Sequence, residues 1–304
     1  MPATHLPRVH VQRLRLNPWL VVVVLAAALA SAFLVGGARS AIPPQGLIAF
    51  AREDGVYAMH PDGSDVRLLW RGNAGPTDVA WSPDGSKLAV STWGRSIWVV
   101  NADGTAPVRV ARVDASSLSW SADGRRIAFT RSFRADDSDI WLMNADGSGM
   151  RRLKRTPELF EREVDWSPVG GRIVFSSGGY VPFIYVMRAD GSGLRKLPPP
   201  PTLGGWPDST KPDWSPDGRR IVFASVAGSD SMEIWAMNAS GLQWMQLTKN
   251  RFFDDAPVWS PDGRRIAFVR RFAGIYVMNA DGSGQKRLTG GASPAWQPVA
   301  PTED

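Results

Sequence analysis

Few residues in this 304-residue chain can act as a nucleophile or a general base. It has three histidines, His5, His10 and His60, and no cysteine. His5 and His10 lie in a basic N-terminal leader, so His60 alone is left for the rest of the chain, within His60-Pro61-Asp62-Gly63. Hydrolysis by a Ser-His or Cys-His couple needs a positioned base, and a histidine-built zinc site needs several imidazoles; neither is present. Asn144-Ala145-Asp146-Gly147-Ser148-Gly149 starts like a calcium loop, but the twelfth position, where a bidentate Glu belongs, is Arg155, and it is Gly290 in the equivalent stretch from Asn279. It reads as turn chemistry. No metal and no cofactor is expected. What remains are carboxylates and aromatics: Asp78, Glu163, Asp165, Asp213, Asp254 and Asp255, with Lys211, Arg251, Trp206, Phe252 and Phe253. Paired carboxylates can run glycosidase or lyase chemistry, and the same set can form a charged, aromatic-fringed contact surface.

The elements that must position these residues show in a repeat. Trp81, Trp120, Trp166, Trp214, Trp259 and Trp296 recur at intervals of 39, 46, 48, 45 and 37 residues, the length of one four-stranded propeller blade. The unit reads Trp259-Ser260-Pro261-Asp262-Gly263, then Ile266-Ala267-Phe268, then Ile275-Tyr276-Val277-Met278-Asn279-Ala280-Asp281-Gly282. Both Asp-Gly tetrapeptides are turn chemistry, and the short runs between them are β-branched and aromatic. The first unit, from Gly46, lacks a tryptophan strand; Ser293-Pro294-Ala295-Trp296 supplies one and stops. Pairing the two ends closes the ring and removes its open edges. The expected fold is all-β, a six-bladed propeller over 46–298 closed by its N- and C-terminal strands, followed by a 299–304 tail.

This unit resembles the WD40-like (PD40) repeat of the TolB propeller. Departures are Val169 for Asp, Ala122 for Pro, Ser240 for Asp and His60 for Asn, each in a turn that keeps its Gly. The resemblance implies a partner-binding propeller outside the cytoplasm. TolB proteins also carry an α/β domain ahead of the propeller that contacts an inner-membrane partner, and residues 1–45 are expected to leave no room for one.

Residues 16–38 carry no charge and follow Arg8, Arg13 and Arg15, which reads as an export signal with its basic side in the cytoplasm. The apolar run Trp19 to Val35 is 17 residues, longer than a typical cleaved signal and at the short limit of a spanning helix. The length favours an uncleaved signal anchor, whereas Gly36, Ala38 and Ser40 would permit cleavage to a periplasmic or secreted form. Residues 1–40 are therefore read as a hydrophobic signal or anchor helix with its basic leader, and 41–45 as a Pro-rich linker. Beyond this leader, 31 of the 35 Lys and Arg face 29 acids, so no nucleic-acid partner is expected. The pairs Arg125-Arg126, Arg219-Arg220 and Arg264-Arg265 read as solvated turn flanks.

In a propeller the two kinds of Asp-Gly turn share one face, and the opposite face carries loops of variable length, where function concentrates. Those loops run over Trp70 to Thr77, Arg131 to Asp139, Thr156 to Glu163, Pro198 to Lys211, Gly228 to Glu233 and Lys249 to Asp255, and they carry or adjoin the carboxylates and aromatics named above. The sequence therefore reads as a monomeric, non-catalytic module that captures an envelope protein or peptide on this face. The alternatives are a carbohydrate-active lyase or glycosidase and a sensor ectodomain. A reporter fused after Asp304 should be active outside the cytoplasm; activity of a cytoplasmic reporter alone would refute the orientation.

Overall fold

Each Ser-Pro-Asp-Gly turn is locked by its own side chains. Ser260 Oγ donates to Asp262 Oδ1 at 2.6 Å, Arg264 N donates to the same carboxylate at 3.0 Å, and Arg265 N donates back to Ser260 Oγ at 2.8 Å. The pattern recurs at Ser82, Ser121 and Ser215. Ala122 leaves the pattern intact because the residue at that position takes no part in it. At Val169 the carboxylate is missing and Ser167 Oγ donates to the Val169 carbonyl instead. The Asn-Ala-Asp-Gly turns are constrained from outside as well: a Cβ on Gly104 (φ +85°) would lie 1.8 Å from the Leu69 carbonyl oxygen, and one on Gly147 2.0 Å from that of Val110. Only glycine fits where these turns pack on the preceding blade.

The computed structural model describes residues 46–134, 137–153, 160–179, 181–200, 208–226 and 231–298. The leader and its signal or anchor helix, the linker, Trp206 and the C-terminal tail lie outside them. Among the described residues there is no helix long and apolar enough to cross a membrane. They form strands numbered β1 to β24 along the chain, arranged as six antiparallel four-stranded sheets, the blades. In the first blade the order is β24 (Ala292–Trp296), β1 (Ile48–Arg52), β2 (Gly55–Met59), β3 (Arg67–Trp70). Ile48 pairs with Trp296 and Ala49 with Ala295, and Gln297 N donates to the Leu47 carbonyl at 2.8 Å. The two-ended closure expected from the repeat is therefore present.

The core lies at the seams between blades. Val222, Ala224, Ile234 and Leu247 of one blade pack with Trp259, Ile266 and Phe268 of the next, and the other seams repeat this. Phe50, Phe129, Phe175, Phe223 and Phe268, all in second strands, are fully buried. All six repeat tryptophans are buried too, and four receive a guanidinium from the preceding blade: Arg126 over Trp166 (5.1 Å), Arg172 over Trp214 (4.8 Å), Arg220 over Trp259 (4.4 Å) and Arg265 over Trp296 (5.0 Å). The expectation of solvated arginine pairs is corrected here. Only the first of each pair is exposed; the second lies across the next blade's indole, because the strand after each turn runs along the seam.

Trp296 both fills a seam and carries the closing strand. Trp296→Ala should cost about 3–5 kcal/mol of stability, read from the denaturant midpoint, whereas a change of less than about 1 kcal/mol would show that the ring does not depend on closure.

Candidate functional site: the central channel and the variable face

The innermost strands β4 (Pro76–Trp81), β8 (Ala115–Trp120), β12 (Glu161–Trp166), β16 (Ser209–Trp214), β20 (Asp254–Trp259) and β24 surround a central cavity of about 620 Å³. Each has a register break against its neighbour just before the tryptophan. Five of the six place a non-glycine residue in left-handed backbone three positions before it: Ser117 (φ 51°), Glu163 (44°), Lys211 (50°), Ala256 (50°) and Ser293 (47°). A bulge of this kind turns a side chain out of the alternation, and Glu163 and Lys211 thereby line the cavity with Asp78, Asp165 and Asp213.

Several of these carboxylates also tie blade to blade. Asp165 Oδ2 accepts the Trp214 N–H at 2.8 Å and its Oδ1 the Ser119 hydroxyl at 2.9 Å. Asp213 Oδ2 accepts the Trp259 N–H and Asp78 Oδ2 the Leu118 N–H, both at 2.8 Å. Where alanine precedes the tryptophan, its carbonyl takes the next indole instead: Trp120 Nε1 to Ala80 O at 3.1 Å and Trp81 Nε1 to Ala295 O at 3.2 Å.

Burial pushes Asp78 and Asp165 up to about 6, and burial together with the neighbouring Asp165 charge lifts Asp213 well above the usual carboxylate range. Glu163 is raised by burial and receives the Ser176 hydroxyl. Lys211 is the counter-charge, with Nζ 3.3 Å from Asp255 Oδ2. Burial would lower its pKa, but Asp255, Glu163 and Asp78 outweigh burial and hold it above its ordinary value.

The structure thus brings Asp78, Glu163, Asp165, Lys211, Asp213 and Asp255 together around the channel. Asp254 is different. Expected at the rim beside Asp255, it is 0% exposed, bound by Arg270 Nε and Nη2 at 2.7 and 2.9 Å and by Asn250 Nδ2 at 2.8 Å. Successive strand residues point to opposite sides, so the two neighbours have opposite fates. The stretch Arg131 to Asp139, expected as a loop, is mostly strand: β9 runs Arg126–Arg134 and β10 Asp137–Asn144. Phe252 and Phe253 are exposed as expected, at 46% and 43%, beside Arg251. Trp93 at 79% and Phe272 at 99% were not singled out from the sequence. Both sit in hairpin turns between second and third strands, where the repeat has no fixed residue.

The raised acids have a consequence for pH. When folding raises a carboxyl's pKa, it stabilises the protonated form. That contribution is complete below the unfolded value of about 4 and is lost as pH rises through the folded value near 6. Asp213→Asn keeps an oxygen for the Trp259 N–H and removes one charge beside Asp165. It should gain stability relative to wild type as pH rises through the raised range of the Asp213 carboxyl, and the gap should close as pH falls and that carboxyl takes up its proton; a stability difference that does not change with pH would contradict this assignment.

Comparison with known proteins agrees with this geometry. The family described as TolB beta propeller domain (PD40) matches residues 206–303. The Tol-Pal system protein TolB of Anaeromyxobacter dehalogenans (strain 2CP-C) is 34% identical over 102 residues, 32% of this chain and 23% of that protein. A Bacillus subtilis (strain 168) protein named uncharacterized peptidase YuxL is 38% identical over 109 residues, 32% of this chain and 16% of its own length. The matched stretch is thus less than a quarter of either relative. Among solved structures, TolB from Acinetobacter baumannii superposes with a TM-score of 0.71 at 19% identity, covering 83% of this chain and 67% of that one. An oligogalacturonate lyase in complex with manganese gives 0.55 at 16% identity, covering 77% and 70%. Those two likenesses show the fold alone. The described residues form a six-bladed β-propeller similar in fold to that of TolB, and residues 206–303 match the TolB beta propeller domain (PD40) family.

Proposed function

We propose that this chain is an extracytoplasmic, non-catalytic propeller that captures a protein or peptide partner at the cell envelope. Its channel mouth on the variable-loop face is the capture site. The observation that carries this reading is the Lys211–Asp255 pair set among Glu163 and Asp78 at the cavity, on strands tied rigidly to their neighbours. A preformed polar funnel binds without paying to order itself. The similarity to a Tol-Pal system protein supports a partner within the envelope, and the uncharged segment at 16–38 supports delivery there, either anchored or released.

Two features argue for binding over catalysis. Asp165 and Asp213 each commit an oxygen to a backbone amide of the next blade. His60, the one histidine among the described residues, sits in an Asp-Gly turn 3.8 Å from Asp65. A second reading, a carbohydrate-active lyase or glycosidase, rests on the raised Asp165–Asp213 pair inside a cavity, since enzymes of that class rely on carboxyls held at unusual pKa values.

The test is capture of envelope proteins by immobilised full-length protein. Glu163→Gln combined with Asp255→Asn should weaken retention of a specific partner at least ten-fold while the melting temperature stays within a few degrees of wild type. Equal retention by the variant removes the mouth from the interface. Cleavage of acidic oligosaccharides by wild type, lost in Asp213→Asn, would establish the enzymatic reading instead.

A further inference from the structure

One corner of the variable face has a chemistry that capture at the mouth does not use. The loop before β20 and the hairpin after β21 (Arg265–Arg270) are joined there by a hydrogen bond from Arg271 N to the Phe253 carbonyl at 2.8 Å. This brings Phe252, Phe253 and Phe272 to one corner. Three cations, Lys249, Arg251 and Arg271, accompany them, all exposed and without an ion pair among the described residues. The neighbouring Arg270, by contrast, is neutralised by Asp254. Arg251 lies 5.9 Å from the Phe252 ring, and Arg271 lies 5.8 Å from Phe253 and 5.1 Å from Phe272.

The corner is built to stay as it is. Asn250 uses its whole amide: Nδ2 donates to Asp254 at 2.8 Å and to buried Glu233 at 3.3 Å, and Oδ1 accepts the Phe252 N–H at 2.7 Å. Its backbone N–H donates to Glu233 Oε1 at 2.7 Å and its carbonyl accepts the Ser231 hydroxyl at 2.8 Å. Phe272 stands at φ +64°, where a bulky side chain is disfavoured, with its side chain wholly in solvent. The hairpin is pinned by Ala273 N to Arg270 O at 2.9 Å and by Arg287 Nε to Ala273 O at 2.7 Å. Phe272 is thus strained, pinned and fully exposed, with only the adjacent Arg271 described over its ring.

We propose that this corner docks on an anionic lipid surface. Charge complementarity gives the sign: three cations without an ion pair among the described residues call for an anionic counterpart. Shape gives the class. A protein partner would need a pocket to receive a ring that protrudes this far, whereas a bilayer interface is soft and accepts convex aromatic tips with arginines at headgroup depth.

The chain has no cysteine, so one introduced at Ala273→Cys carries a single environment-sensitive fluorophore at the tip while keeping Phe272. Leu242→Cys, on the opposite face, serves as the control. Full-length protein is held in phosphatidylcholine nanodiscs, which occupy the hydrophobic leader, and mixed with separate vesicles. With phosphatidylglycerol-containing vesicles the label at 273 should shift to the blue; with pure phosphatidylcholine vesicles, or with the label at 242, it should not. Arg251→Ala with Arg271→Ala should raise the vesicle concentration for half the shift on the order of thirty-fold, at about one factor of five per cation. Both side chains are exposed, and an unchanged melting temperature shows that the variant folds. No shift with phosphatidylglycerol vesicles overturns the proposal. So does a shift seen only with native envelope vesicles and abolished by stripping their proteins with protease, which would assign the corner to a protein partner.

Discussion

The seam between consecutive blades is the interaction on which the rest depends. At four of the six seams an arginine from the strand after one Ser-Pro-Asp-Gly-type turn lies across the tryptophan of the next blade, 4.4 to 5.1 Å from its ring. A cation over an indole contributes about 0.5–2 kcal/mol depending on its desolvation, and the indole itself buries the largest apolar area of any side chain. The contact is directional and repeats around the ring. It therefore sets the angle between blades as well as holding them, and only a closed ring gives each tryptophan a neighbour.

The innermost strands carry a second set of ties at the same seams, and these account for the character of the channel. A blade-to-blade bond needs an acceptor aimed sideways from the strand, and an Asp just before the tryptophan supplies one. The cost is a set of carboxyls buried around a narrow cavity: burial raises the pKa values of Asp78, Asp165 and Asp213, and the Asp165 charge raises Asp213 further. Lys211, set at a bulge, offsets part of that charge through Asp255. Scaffold and candidate site thus share residues. The funnel is stiff because its charged lining also fastens the blades.

The repeat made the architecture legible from sequence because its signals are local. Trp-Ser-Pro-Asp-Gly and Asn-Ala-Asp-Gly encode turns through contacts within a few residues, as Ser260 and Asp262 show, and the incomplete units at Gly46 and Ser293 can only complete each other. What escaped the sequence acts between blades or against pattern. The stacking of Arg126 on Trp166 spans 40 residues, so the second arginine of each pair looked like any solvated turn flank. The bulges at Glu163 and Lys211 carry no glycine to announce their left-handed backbone. Asp254 and Asp255 look alike in sequence, but only Asp254 meets Arg270 inside the blade. Phe272 gave no signal, since an exposed aromatic in a short hairpin resembles a buried one until the turn is placed.

The six seams form one ring with no weak joint, although the first blade is assembled from both ends of the propeller. Hydrogen exchange under mildly denaturing conditions, followed peptide by peptide by mass spectrometry, tests it most directly. Amides of β24 and β1, which close the ring, and those of β16 and β20, which lie within single blades, should open in one global event with the same free energy and the same denaturant dependence. If β24 and β1 exchange first, through an opening that leaves β16 and β20 protected, the closure is a loose latch and the seams do not act as one structure.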